Sequence, residues 1–199
     1  SDAWAQIRGN LENQDSKTAL SAQLKALQSA SAGRTCLLLM EDIDDFHLIN
    51  DAYGYEAGNR ALSTLYKTLC SMNRSAMIFR FHADIFVTIL DIKDSSLQGT
   101  LDDLSKQRVC ICQKLVSDLH LGRCTVSTGI FPLSDGSIAP EDAIAHANLA
   151  RQMAKHRSNH LCCYSQEIAQ QEQMQAEVLH SFQQALEQEE FQLYFQPKV

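Results

Sequence analysis

Basic residues are scarce in this 199-residue chain: 17 lysines and arginines stand against 24 acids, giving a formal net charge of -7 and a pI near 5.4. Gripping a nucleic-acid backbone takes a concentrated basic surface, so a nucleic-acid polymer is excluded as the partner, while a single bound nucleotide is not. Every apolar run long enough to suggest a membrane span is broken by charge, and no basic segment followed by an apolar one opens the chain. The fragment therefore reads as cytoplasmic and not membrane-embedded, which leaves open a tether elsewhere in a longer protein; Ser1-Asp2 looks like a cut made inside one. Cysteine pairs of the CxxC type and Cys/His sets with zinc-finger spacing are both missing, and the seven cysteines are an odd number, so most read as reduced and half-buried, with the Cys110-x-Cys112 and Cys162-Cys163 pairs as core and strand residues. No internal repeat is visible.

What is present is apolar content of 45%, enough for one good core with helical extensions. Trp4, Ile7 and Leu11, then Leu20, Leu24 and Leu27, recur at helical spacing, and the continuous run Thr35 to Met40 reads as a strand covered on both faces. Leu62, Leu65, Tyr66 and Leu69 mark a helix face. Met77 to Leu90 supplies two β-rich runs, a hairpin, and a polar loop over Asp91 to Asp103 leads into a helix ending near Leu119. Arg123 to Phe131 is expected as a strand that Pro132 ends. Pro140-Glu-Asp opens a helix whose Ala143, Ala147, Ala150 and Ala154 form a stripe suited to close packing on a sheet, and Leu161 to Tyr164 is a last short strand. From Gln166 a polar helix carries a narrow apolar seam through Val178, Leu179, Phe182 and Leu186. This order implies an α+β sandwich with a largely antiparallel sheet.

Two stretches bear chemistry. Glu41-Asp-Ile-Asp-Asp45 closes a buried strand, and alternation puts Asp42 and Asp44 on one face, a seat that suits Mg²⁺ or Mn²⁺ and that a solvated acidic loop would also spell. Arg80-Phe-His-Ala-Asp-Ile-Phe86 turns a hairpin without the glycine such turns favour.

Together they carry a resemblance. Met40-Glu-Asp-Ile-Asp-Asp-Phe-His-Leu-Ile-Asn-Asp-Ala-Tyr-Gly-Tyr-Glu-Ala-Gly-Asn59 resembles the D-[IV]-D-x-F-K-x-[IL]-N-D-x-x-G-H-x-x-G-D signature of GGDEF domains, the diguanylate cyclase family. Arg80 to Phe86 falls where that family has R-x-G-G-[DE]-E-F, Val126-Ser-Thr-Gly-Ile130 is similar to V-S-I-G-I, and Ala147 to Lys155 is similar to A-D-x-A-L-Y-x-A-K. The resemblance spans Thr35 to Tyr164 and implies a ferredoxin-like, adenylyl-cyclase-type sandwich, a central five-stranded mostly antiparallel sheet flanked by helices. It also implies condensation of two GTP molecules to cyclic di-GMP in a homodimer, with Mg²⁺ or Mn²⁺ at Asp42, the carbonyl of Ile43 and Asp84.

The departures fall at the hairpin and around the nucleotide. His82 and Ala83 replace the two glycines, and Ile85 replaces a glutamate, so the turn His82-Ala-Asp-Ile-Phe86 lacks a complete catalytic set; one such group is worth about two to three orders of magnitude in rate. Nucleotide contacts are carried over to Phe46, His47, Asn50, Asn59 and Lys155. His47 stands for a lysine and weakens charge neutralisation. Asn59 stands for an aspartate that accepts two guanine N–H groups, which loosens base choice by about 1–3 kcal/mol. Asn50 doubles as a helix cap and Lys155 as a helix-end cation in the plainer reading. Asn73 and Ala76 occupy the Arg and Asp places of the feedback-inhibition motif, so product inhibition there is not expected.

Phe191-Gln-Leu-Tyr-Phe-Gln-Pro-Lys-Val199 resembles the first strand of an EAL domain, the cyclic di-GMP phosphodiesterase type. The expected organisation is linker helices over 1–32, a degenerate GGDEF domain over 33–165, a linker helix over 166–190, and the start of a truncated EAL domain over 191–199. Three functions follow from the resemblance: a regulatory module that binds GTP or another nucleotide and signals to the EAL domain downstream, a weak or altered cyclase, or a dimerisation domain.

Overall fold

The computed structural model describes residues 15–30, 36–73, 76–92, 96–133, 138–188 and 190–191. Trp4, Ile7 and Leu11, the Ser134–Ser137 cluster and the EAL-like strand beyond Phe191 lie outside these residues. The chain divides into two compact units, Ser1–Tyr164 and Ser165–Val199.

In the first unit the order is α1 (Asp15–Ala30), β1 (Cys36–Ile43), α2 (Phe46–Tyr53), α3 (Tyr55–Met72), β2 (Met77–His82), β3 (Ile85–Asp91), α4 (Leu97–Leu119), β4 (Val126–Leu133), α5 (Pro140–Ala154) and β5 (Leu161–Cys163). The sheet runs β2-β3-β1-β4-β5, antiparallel except for the β4–β5 pair. This is the expected α+β sandwich on a five-stranded, mostly antiparallel sheet.

β1 is central and buried at all eight positions, so its residues alternate between two cores. Leu38 and Met40 face Leu20 and Leu24 of α1 and Ala143 and Ala147 of α5. Leu37 and Leu39 face the other layer, with Leu104 of α4, and Ile43 joins the core of α2, α3 and α4 there. Each of Leu20 and Leu24 is fully buried, a contribution of about 1.5–3 kcal/mol apiece.

The alanine stripe of α5 does what its small side chains allow. All four alanines are fully buried, and a Cβ placed on Gly129 of β4 would overlap the backbone of Ala147 and Arg151. Helix and strand backbones touch here, which fixes what α5 presents at its C-terminal end.

Several boundaries differ from expectation. β1 runs three residues beyond Met40, because Glu41 and Asp42 find polar partners on opposite faces of the sheet. Pro132 lies inside β4, opposite Leu37; β5 accompanies β4 only from Thr128 to Ile130, so the outer edge at Pro132 is open and a missing N–H is tolerated. β4 begins at Val126 rather than Arg123, and β5 ends at Cys163. α4 starts at Leu97, well inside the expected loop, because the Ser96 side chain caps it by accepting the Gly99 N–H at 3.1 Å. The helix expected after β1 is two helices: Gly54, at φ 83°, closes α2 by donating to the Asn50 carbonyl and opens α3 with its own carbonyl.

The second unit contains α6 (Gln166–Glu187), capped by the Ser165 hydroxyl. Its seam is exposed: Met174, Val178, Leu179, Phe182 and Leu186 are each at least half accessible, and the Phe182 ring meets Phe191.

Candidate functional site

The sheet's topology gathers the chemistry at one end. The C-terminal end of β1, the β2–β3 turn and the start of β4 meet there, as the pairs Asp42↔Ile85 and Ile43↔Val126 require. Asp44 is tied down by its N–H, which donates to the Thr125 carbonyl at 2.9 Å, and Asp45 then takes a left-handed conformation that turns the chain into α2.

Asp42 is 3% exposed. Its Oδ2 receives two cations from α5, Arg151 Nη1 at 2.6 Å and Lys155 Nζ at 2.7 Å, while Oδ1 is buried without a hydrogen-bond partner among the described residues. Lys155 also lies 3.9 Å from Asp44 Oδ1, so the shared face expected for Asp42 and Asp44 is realised through a common cation. Arg151 is held in place by Asn148, whose Oδ1 accepts from Nε at 3.1 Å and Nη2 at 2.9 Å. On the far side of Asp44, His160 Nδ1 approaches Oδ2 at 2.9 Å, an ion pair when the imidazole is protonated, and the same nitrogen lies 3.4 Å from Ser127 Oγ.

Glu41 points to the opposite face of the sheet. Burial pushes its carboxyl up to about 7, against the lowering effect of the Thr88 hydroxyl that donates to Oε2 at 2.9 Å. It stands apart from the Asp42 cluster.

The hairpin is built differently. Ala83 sits at φ 34°, the left-handed region that glycine would occupy without penalty, and the β2–β3 register shifts between Arg80 and His82. Arg80 Nε donates to the Ala83 carbonyl at 2.6 Å and closes the turn. Burial lowers the Arg80 pKa, and the charge of Asp84 opposes that shift, which marks Asp84 as its electrostatic partner. His82 is exposed. Ile85 faces Asp42 directly across the sheet and packs into the α1–α5 core. The position beside the strand-end acid is thus aliphatic.

Of the nucleotide residues, Phe46 and Asn50 gather over α3, where a Cβ on Gly58 would overlap Asn50 Oδ1 and press on the Phe46 ring. His47 and Asn59 are exposed. A cavity of about 720 Å³ opens between α2, the start of β4 and the end of α5; Asp44, Tyr53, Arg123, Lys155 and His160 line it, and Asn50, Asn59 and the hairpin do not. Lys155 is therefore the one expected nucleotide residue that the cavity and the acid cluster share.

Two residues went unmarked in the sequence. Arg151 completes an i, i+3, i+4, i+7 pattern with Ala147, Ala150 and Ala154, so helix phase alone places it on the buried face. His160 gave no such signal; it lies in a loop at φ 47° after α5.

An α+β sandwich whose central strand ends in buried acids, beside a two-residue turn, is the arrangement that the resemblance to cyclase domains leads one to expect. The diguanylate cyclase, GGDEF domain, family model matches residues 10–160, and the chain belongs to that family. The bifunctional diguanylate cyclase/cyclic di-GMP phosphodiesterase MucR of Pseudomonas aeruginosa is 27% identical over 174 residues, 86% of this chain and 25% of that protein. Diguanylate cyclase DgcM of Escherichia coli K12 is 32% identical over 105 residues, 52% of this chain and 25% of that protein. The chain thus spans about a quarter of these curated relatives. Among solved structures, the active GGEEF domain of a diguanylate cyclase from Vibrio cholerae matches with a TM-score of 0.61 at 20% identity, covering 74% of this chain and 96% of that one, a likeness of fold. No helix among the described residues is long and apolar enough to cross a membrane.

Proposed function

We propose that this chain is a catalytically degenerate GGDEF domain that serves as a regulatory, nucleotide-binding module in a cyclic di-GMP signalling protein. The observation that carries the reading is the pairing of Asp42 with Ile85: where catalysis needs a second carboxylate beside the strand-end acid, the sheet presents a packed aliphatic side chain. GTP or another nucleotide would be held by Phe46, His47, Asn50, Asn59 and Lys155, with base choice loosened at Asn59. Regulation then needs only that the ligand favour one of two arrangements of the protein by a few kcal/mol. The recipient would be an EAL domain beginning near Phe191, a placement supported by the C-terminal sequence and by the bifunctional name of the relative MucR.

A weak cyclase is the second reading. The unpartnered Asp42 Oδ1 favours it, since a metal at Asp42, Ile43 and Asp84 would use that atom. Calorimetric titration with GTP and with ATP in Mg²⁺, beside an assay for cyclic di-GMP, separates the readings. Binding without product supports a regulatory module, product formation supports the cyclase, and no binding to either nucleotide leaves dimerisation as the domain's role.

A further inference from the structure

The Asp42 carboxylate already has its cations. Two positive side chains from α5 meet one oxygen at 2.6 and 2.7 Å, and with Asp44 alongside, two carboxylates and two cations cancel without any metal. A divalent ion added here would leave the strand end with two excess positive charges in a poorly solvated place. The ligand set fits it no better. Asp42 Oδ1 is the one open acceptor on that carboxylate, and Ile85 stands across the strand. Among the described residues the two Asp44 oxygens are buried without a hydrogen bond but face Lys155 Nζ at 3.9 Å and His160 Nδ1 at 2.9 Å, and no group of three or more His, Cys, Asp or Glu side chains is placed to hold a metal. Hard divalent cations take several oxygen ligands, so the residues present do not fit Mg²⁺ or Mn²⁺.

We propose that Arg151 is a built-in counter-ion that takes the place of a divalent metal at Asp42, and that nucleotide binding by this domain is independent of metal. The guanidinium is well made for that role. Its side chain is 9% exposed, its position is set by the contact of α5 with Gly129, and Asn148 Oδ1 accepts from Nε and Nη2 while Nη1 meets Asp42. Lys155 adds a second, more exposed charge, and the two together hold the end of β1 to the end of α5. The metal part of this inference stands without any bound nucleotide; the nucleotide part rests on the function proposed above.

Mn²⁺ binding read by electron paramagnetic resonance on the nucleotide-free domain tests the first part. Wild-type protein should leave the free-ion signal unchanged at submillimolar Mn²⁺, and Arg151→Leu should bind Mn²⁺ at least about tenfold more tightly, the gain expected on removing one buried cation beside the acid. Lys155→Met, at a more exposed site that tolerates truncation, should move in the same direction and keeps the test usable if Arg151→Leu fails to fold. Wild-type binding that Asp42→Asn abolishes would overturn the proposal. Titration of the wild type with GTP in EDTA and in Mg²⁺ tests the second part: equal affinity supports metal independence, and affinity that needs Mg²⁺ contradicts it. Absence of GTP binding in both buffers overturns the nucleotide part together with the proposed function, while the Mn²⁺ result still decides the counter-ion.

Discussion

The two sides of the expected metal cradle have gone different ways. On one side Asp42 remains deep in the sheet, 3% exposed, with Arg151 and Lys155 on it. On the other, the hairpin keeps Arg80 and Asp84 as a partly exposed frame but carries His82, Ala83 and Ile85 in the places of two glycines and a glutamate. A buried acid cannot simply be left: without a partner its charge costs several kcal/mol, so it stays only where cations meet it. An exposed turn has no such constraint. On the proposed reading the substitutions at His82 and Ala83 would cost catalysis and little stability, so one side is held as structure and the other is free to change.

Perturbing the buried side should have the largest consequence. Asp42→Ala leaves Arg151 buried and unpaired, and urea unfolding should show a loss of about 3–5 kcal/mol. A loss below about 1 kcal/mol would mean that the cluster is no more than a surface ion pair.

Glu41, on the opposite face, gives the next effect and a pH signature. Its folded pKa of about 7 lies above the ordinary 4.5, so the folded state binds the proton more tightly than the unfolded chain does. The stability this provides is complete below pH 4.5 and is lost as the pH rises to 7. Glu41→Gln, which stays neutral, should therefore match the wild type near pH 4.5 and exceed it by up to about 3 kcal/mol at pH 8, read from denaturation midpoints at both pH values. A gap that does not change with pH would show that Glu41 titrates normally.

The hairpin should respond weakly. Ala83→Gly relieves a left-handed alanine, and although glycine loses more entropy on folding, a net gain of about 0.5–1 kcal/mol is expected in the same experiment. His82→Ala, at an exposed position, should stay within about 0.5 kcal/mol of the wild type. A cost comparable to that of Asp42→Ala would erase the contrast between the two sides.

Much of this was legible in the residues because periodicity and motif spacing report what lies on one element. The alanine stripe announced its contact with the sheet, the strand-end acids announced a shared face, and the four motifs announced the fold. Contacts between elements were not legible. Arg151 belongs to the buried face of α5 by phase, yet its partner is Asp42, a strand residue far away in sequence, and only the register of β4 on β1 brings them together. The same holds for His160 and Asp44, joined through a loop with no pattern. Boundaries shifted where a local cap or a neighbouring strand decided them, as Ser96 did for α4 and the short β5 did for Pro132.

The most direct measurement is cyclic di-GMP formation by the purified domain from radiolabelled GTP in Mg²⁺ and in Mn²⁺, at protein concentrations high enough to favour dimers. With Ile85 in place of the second carboxylate and Arg151 on the first, the account predicts no product in either metal while GTP remains bound. Sustained turnover that is lost in Asp42→Asn and Asp84→Asn would contradict it, and would show that a metal displaces Arg151 to complete a working cyclase.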